Sequence, residues 1–197
     1  MRSLFLFVTM IFIQIQLNAS AINLNTFRQQ ALAAHNYYRR LHGAQPIALN
    51  STINAIAQAY AEVLAANDTF AHSSGTGLGE NLWSTSSSNA ITFVNGKGFF
   101  SNKHFDWLKF VDLGSSPVNS WYNEVSAYNY SNPVFGLTTG HFTQVVWNNS
   151  VQLGIGIAFT TGDLKAKVVA NYYPPGNYAG RFTANVFPAD WDNLGGD

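Results

Sequence analysis

The chain has 197 residues, 47% hydrophobic and only 10% charged, with 10 basic and 10 acidic side chains that cancel to a net charge of zero. That is enough for one well-buried domain, and too polar a balance for a membrane bundle. No basic stripe offers itself to a phosphate backbone or an anionic membrane, so nucleic acid is excluded as the expected partner.

The first residues read as a secretory signal. Arg2 supplies the positive end, Leu4 to Ile13 is nearly continuous apolar sequence, and Ala19-Ser20-Ala21 is a small-residue cleavage site. Residues 1–21 are therefore expected to be removed and the mature protein to be extracellular. The apolar run falls short of the roughly 20 residues that span a bilayer, which disfavours a retained anchor. The chain has no cysteine, so a secreted domain must hold its fold through its core alone. Four Asn-x-Ser/Thr sequons, at Asn50, Asn67, Asn129 and Asn148, are glycosylation candidates.

From Leu24, the positions Phe27, Ala31, Ala34, Tyr38 and Leu41 recur at steps of three and four and predict an amphipathic helix stopped by His42-Gly43. His35, Asn36 and Arg39 on this helix suit polar bonds that anchor it to a sheet, whereas His42 and His104 read as surface residues. Asn50-Ser51-Thr52 can cap a second helix with Ile53, Ile56, Tyr60 and Leu64 on one face, ending near Asn67-Asp68. Gly75, Gly77 and Gly79 make a permissive loop, after which Glu80 leads into an extended segment at Asn81 to Trp83. Residues 84–116 pass from a polar stretch to a segment rich in Phe93, Phe99, Phe100, Phe105, Trp107, Leu108 and Phe110, an excursion expected to pack on the domain as extra cover. Ser115-Ser116-Pro117 starts a further helix, with Trp121, Glu124, Val125 and Tyr128 on one stripe. Leu153, Ile155, Ile157 and Phe159 alternate with Gly154, Gly156 and Ala158, a strand whose small-residue face admits a close neighbour. After a turn at Thr161-Gly162-Asp163, Lys167 to Tyr173 returns as the antiparallel partner and stops at Pro174-Pro175.

Four motifs recur in a telling order: His35-Asn36-Tyr37-Tyr38-Arg39, Gly79-Glu80-Asn81-Leu82-Trp83, Gly140-His141-Phe142-Thr143-Gln144-Val145-Val146-Trp147, and Asn171-Tyr172-Tyr173-Pro174-Pro175-Gly176-Asn177-Tyr178. Together they resemble the CAP superfamily of cysteine-rich secretory, antigen 5 and pathogenesis-related proteins, over residues 24–188. Ala170 stands where the usual motif has a cysteine, and the ending Asn185-Val186-Phe187-Pro188 is similar to the cysteine-free, Golgi-associated branch. The resemblance implies an α+β fold, a three-layer α-β-α sandwich with a small antiparallel sheet between helices. It also implies a single domain over 22–197, with the aromatic-rich insertion at about 84–116.

Carried over residue by residue, the family's central cavity maps onto His72, Glu80, Glu124 and His141. The implied chemistry is a weak site for Zn2+ or another divalent cation, with His72 and His141 as ligands and Glu80 and Glu124 accepting the other ring N–H of each. The same tetrad also reads as a hydrogen-bond network that ties loop, helix and hairpin together. A metal-dependent hydrolase using the four groups is an alternative, although the chain has no His-Glu-x-x-His pair, no Cys nucleophile and no Gly-x-Ser-x-Gly elbow.

Between Glu124 and His141, the residues Tyr128, Tyr130, Pro133, Phe135 and Leu137 resemble the caveolin-binding pattern that is linked to sterol binding in fungal relatives. The alternative is that Phe135 and Leu137 fold under the loop as a satellite of the core. Fatty acids and phosphoinositides are other ligands of the superfamily, the former in a groove that the first two helices could supply; the neutral charge disfavours a cationic head-group site. The expected function is non-catalytic binding of a sterol or fatty acid by a secreted monomer or weak homodimer. A defence or venom-type effector that contacts a receptor or membrane through residues 84–116 is the further alternative.

Overall fold

Asn23 starts the first helix by accepting a hydrogen bond from Thr26 N at 3.0 Å, which satisfies one of the amides that a helix start leaves without a partner. The computed structural model describes residues 22–88, 91–94, 97–100, 109–111, 113–190 and 192. The signal-like segment 1–21 lies outside the described residues, as do His104, Phe105, Trp107 and Leu108 of the insertion.

Helix α1 (Leu24–Leu41) buries Phe27, Ala31, His35 and Arg39, one residue per turn along a single stripe. Strand β1 (Ala48–Leu49) leads into α2 (Ser51–Ala66), whose cap Asn50 accepts from Thr52 N and Ile53 N as its sequence predicts. After β2 (Gly79–Ser86) come three short strands, β3 (Thr92–Val94), β4 (Lys97–Phe100) and β5 (Lys109–Val111). Helix α3 (Ser115–Tyr122) tightens into a 3-10 turn over Asn123–Ala127, and α4 (Gly140–Val145) follows. The chain closes its sheet with β6 (Gln152–Phe159) and β7 (Lys165–Tyr173).

The main sheet runs β1-β6-β7-β2. Its three long strands are antiparallel, and the two-residue β1 joins β6 in parallel. Along β6, Leu153, Ile155 and Ile157 join Phe27 and Ala31 of α1 and Trp121 of α3 in the larger core. The alternating Gly154 and Gly156 face α2 instead: a methyl on Gly156 would lie 2.4 Å from Gln58 Cα and one on Gly154 2.2 Å from the Ile53 carbonyl carbon. Helix layers thus cover both faces of the sheet, as a three-layer α-β-α sandwich requires.

That close approach corrects two sequence expectations. The buried stripe of α2 is Ile53, Asn54, Ala57, Ala61, Leu64 and Ala65, and Ile56 is exposed; a helix pressed against glycines must present alanine there. Because α1 and α2 sit on opposite faces of the sheet, they share no groove. Helix α2 also finishes β6, whose edge beyond β1 has no strand neighbour among the described residues. Asn54 Oδ1 accepts from Ile155 N at 2.9 Å, Gln58 Oε1 accepts from Ile157 N at 3.1 Å, and Gln58 Nε2 donates to Ile157 O at 2.9 Å. These amides occupy an edge that would otherwise template pairing.

Within the stretch 84–116, Ser84, Thr85 and Ser86 pair with Lys167, Ala166 and Lys165 as the end of β2. Strands β3, β4 and β5 form a separate antiparallel sheet. Ile91 and Leu113, which flank it, are fully buried in the main core.

His42 is a correction of a different kind. It is buried, donating from Nδ1 to Phe187 O at 2.6 Å and accepting at Nε2 from Tyr122 Oη at 3.1 Å. Chain order concealed this, because Phe187 comes from the C-terminal segment that wraps back over the end of α1.

Candidate functional site

Glu80 stands directly across from Asn171 in the β2–β7 register, so both side chains leave the same face of the sheet. Its Oε1 accepts from His72 Nδ1 at 2.8 Å and Ser73 N at 2.9 Å, and its Oε2 from Ser73 Oγ at 2.7 Å and Asn171 Nδ2 at 3.3 Å. Tyr60 on α2 donates to Ala71 O at 2.8 Å and so holds the chain just before His72. The carboxylate is covered while the imidazole reaches solvent, with side-chain exposures of 7% and 62%.

Glu124 performs two tasks. Thr139, at the start of α4, contributes no side-chain cap, and Glu124 Oε2 takes its place by accepting from His141 N at 2.9 Å and Phe142 N at 3.1 Å. Oε1 accepts from His141 Nδ1 at 2.7 Å. Burial pushes the Glu124 carboxyl up, but the bonds from the His141 ring and the Phe142 and His141 amides outweigh it and hold the group below its ordinary value. A carboxylate at a helix N-terminus is also favoured by the helix dipole. Trp121, whose Nε1 donates to Leu82 O at 2.9 Å, stacks its ring beside His141.

The two pairs are tied to one strand. Asn81, the neighbour of Glu80, donates from Nδ2 to His141 O at 3.0 Å and to Tyr172 Oη at 3.2 Å. Tyr172 donates in turn to His35 Nε2 at 2.9 Å, and His35 Nδ1 donates to Ala31 O at 2.8 Å. Burial, with a smaller effect from Arg39, outweighs the bond to Ala31 and lowers the His35 pKa to about 4, so the ring stays neutral. Arg39 is also buried, and all its donors are used: Nε on Gln45 O, and the two terminal nitrogens on the carbonyls of Val145, Trp147, Asn148 and Ser150. One guanidinium thereby fixes the whole exit of α4, and with it the His141 segment.

In each pair the carboxylate accepts a hydrogen bond from Nδ1–H, and Nε2 has no hydrogen-bond partner among the described residues. That tautomer suits a metal ligand or a proton acceptor. The two pairs share no hydrogen bond, and no group of three or more His, Asp or Glu converges among the described residues. By its chemistry each imidazole could serve as a ligand to a divalent ion, with water or an exogenous ligand completing the shell.

The loop after Glu124 is divided. Tyr128 is buried and Tyr130 half-buried, their rings edge to face at 4.8 Å and their hydroxyls without a partner among the described residues. Pro133 is half-buried, and Val134, Phe135 and Leu137 are exposed at 55%, 52% and 89%. The alternative, that Phe135 and Leu137 fold under the loop, is not the arrangement found. The Phe135 ring lies across Gly140, where an added methyl would meet it at 2.7 Å, which places this exposed aromatic beside the start of α4.

Ser73 and Asn171 are site residues that sequence reasoning did not single out for Glu80. Ser73 directly follows His72, and pairing β2 with β7 puts Asn171 opposite Glu80, so both signals were available once register was considered.

Residues 32–173 match the family described as CAP, the cysteine-rich secretory protein family. The human Golgi-associated plant pathogenesis-related protein 1 is 33% identical over 164 residues, 82% of this chain and 93% of that protein. Protein PRY2 of Saccharomyces cerevisiae is 31% identical over 82% of this chain, which spans 41% of the yeast protein's length. Among solved structures, BmVAL-1 superposes with a TM-score of 0.64 at 19% identity, covering 83% of this chain and 84% of that one. The chain belongs to the CAP family, and its lack of cysteine and likeness to the Golgi-associated protein align it with the cysteine-free branch.

Proposed function

We propose that this protein is a secreted, non-catalytic carrier of a small apolar lipid, a sterol or fatty acid, that binds it through the loop from Tyr128 to Leu137. The observation that carries the reading is the exposure of Val134, Phe135 and Leu137 on a loop whose other aromatics, Tyr128 and Tyr130, are anchored inside. A loop fixed at its base and apolar at its tip can close on a ring system or chain and remove surface from water at about 25 cal/mol per Å². The secretory reading is supported by the leader-like residues 1–21 and by a family named for secretory proteins.

When bound, a divalent cation such as Zn2+ would supply positive charge and Lewis acidity at the Nε2 atoms of His72 and His141. The protein's own residues orient those rings: Glu80 and Glu124 fix each tautomer, Ser73 and Asn171 hold Glu80, and Trp121 backs His141. Metal-dependent hydrolysis is the second reading. What favours it is that each carboxylate–imidazole pair could also accept a proton from water.

The test is direct binding of a labelled sterol and a labelled fatty acid to the purified protein, with and without a chelator. Burying Phe135 and Leu137 contributes roughly 1.5 kcal/mol or more each, so the Phe135→Ala, Leu137→Ala double variant should bind at least ~100-fold more weakly. Folded protein that binds neither ligand saturably, or a double variant that binds like wild type, would overturn the loop assignment. Hydrolysis that is lost on chelation and in both His72→Ala and His141→Ala would favour the second reading.

A further inference from the structure

The four sequons differ sharply once the chain is folded. At Asn50 the side chain is committed twice: Oδ1 accepts from Thr52 N at 2.9 Å and Ile53 N at 3.2 Å, and Nδ2 donates to Gln152 Oε1 at 2.9 Å. At Asn148, Oδ1 accepts from Gln45 N at 3.0 Å. The hydroxyl residue of that sequon, Ser150, is fully buried, donating to Pro174 O at 2.7 Å and accepting from Gln144 Nε2 at 3.1 Å. Asn67 is exposed, but its Nδ2 donates to Val63 O at 2.9 Å and closes the end of α2. Asn129 differs from all three. Asn129 and Ser131 are both exposed, and Asn129 Nδ2 has no partner among the described residues. The turn uses its oxygens instead, with Ser131 N donating to Asn129 Oδ1 at 2.9 Å and Asn132 N to Asn129 O at 3.1 Å.

We infer that Asn129 is the principal N-glycosylation site of this protein, and that Asn50, Asn67 and Asn148 are modified less or not at all. The inference rests on the secretory reading above, since the sugar donor and its transferase reside in the secretory pathway. The donor is an oligosaccharide joined through N-acetylglucosamine to a polyisoprenyl pyrophosphate. Asn129 Nδ2 forms a bond to the anomeric carbon, the bond from that carbon to the pyrophosphate oxygen breaks with its electron pair, and one amide proton leaves to a base of the transferase. No oxidation or reduction is involved.

Folding decides among the sites. A glycan on Asn50 displaces Gln152 and crowds the cap of α2, and folding withdraws the Ser150 hydroxyl from the transferase. At Asn129 the folded protein loses no hydrogen bond and keeps the sequon within reach. The attached sugars would sit on the same loop as the exposed Val134, Phe135 and Leu137 and supply it with hydrated surface.

The experiment is site-resolved mass spectrometry on protein secreted by a eukaryotic host, after enzymatic deglycosylation in heavy-oxygen water. Two forms are made: one with the native N-terminus and one in which an established leader replaces residues 1–21. Asn129 is expected to be occupied in most molecules and each other sequon in fewer. Ser131→Ala, which disables the sequon but keeps the bond from Ser131 N to Asn129 Oδ1, should remove the main glycan-dependent mobility step with little change in melting temperature. Secreted protein with unmodified Asn129, or with higher occupancy at any other sequon, overturns the assignment. If only the replaced-leader form reaches the medium, the secretory reading fails while occupancy of Asn129 is still read from that form.

Discussion

Replacing Glu124 by Gln asks whether one carboxylate both caps α4 and orients His141. It accepts three N–H groups, at 2.7, 2.9 and 3.1 Å. Gln retains one amide oxygen for the two backbone donors but turns an NH2 group toward a third, and charge assistance is lost at all of them. Bonds to a charged acceptor contribute roughly 1.5–3 kcal/mol each and neutral ones about half as much, so an unscreened loss would exceed 3 kcal/mol. The side chain is 21% exposed, and solvent screening brings the expected cost to about 2 kcal/mol. For a chain of this size that is a fall in Tm of about 4–8 °C at pH 7.

The pH dependence sharpens the test. The folded carboxyl titrates below its ordinary value of 4.5. Its stabilisation is therefore complete above that value and is lost as pH falls through the lower folded pKa. The gap between wild type and Glu124→Gln should be constant at neutral pH and narrow as pH falls below 4.5 through the lower folded pKa. Thermal melts by circular dichroism at several pH values read both quantities. A variant that melts within about 1 °C of wild type at pH 7, or a gap that widens as the solution is acidified, would refute the reasoning.

Two further outcomes follow from buried features. Gly156→Ala puts a methyl 2.4 Å from Gln58 Cα, a backbone atom that cannot swing aside; α2 must move outward, at a cost of about 3 kcal/mol. Urea unfolding should show a clearly lower midpoint, and an unchanged one would mean that the helix does not rest on this strand. His35 should make stability depend on mild acid. Its pKa falls from 6.5 unfolded to about 4 folded, so the unfolded chain binds the extra proton between those values. Stability is full above pH 6.5 and declines toward pH 4, by about 3 kcal/mol for this group. His35→Gln should flatten that slope, and a variant with the wild-type pH profile would exclude His35 as its source.

Much of the architecture could be read in advance because its causes are local. The three- and four-residue spacing from Phe27 to Leu41, the Asn50 cap and the Gly/Ile alternation of β6 each state an element within a few residues. Even the close approach of a second layer was implied by Gly154 and Gly156, since nothing else explains small residues on one face of a strand. The pairing of imidazoles with carboxylates was anticipated through resemblance alone. No spacing within the chain links Glu124 to His141 across 17 residues, and their contact depends on how α3 turns into α4.

What the sequence determined by itself, then, was the order of elements, because periodicity and capping are written over short distances, while the layered fold and the candidate site residues were reached through the family resemblance. Only the tertiary structure decided which face of α2 meets the sheet, that His42 is buried under the returning C-terminal segment, that Phe135 and Leu137 stand outside their loop, and that Asn129 is the open sequon. Each of these depends on atoms brought together from distant parts of the chain. Burial and hydrogen-bond satisfaction are properties of that assembled environment, and no local pattern of residues encodes them.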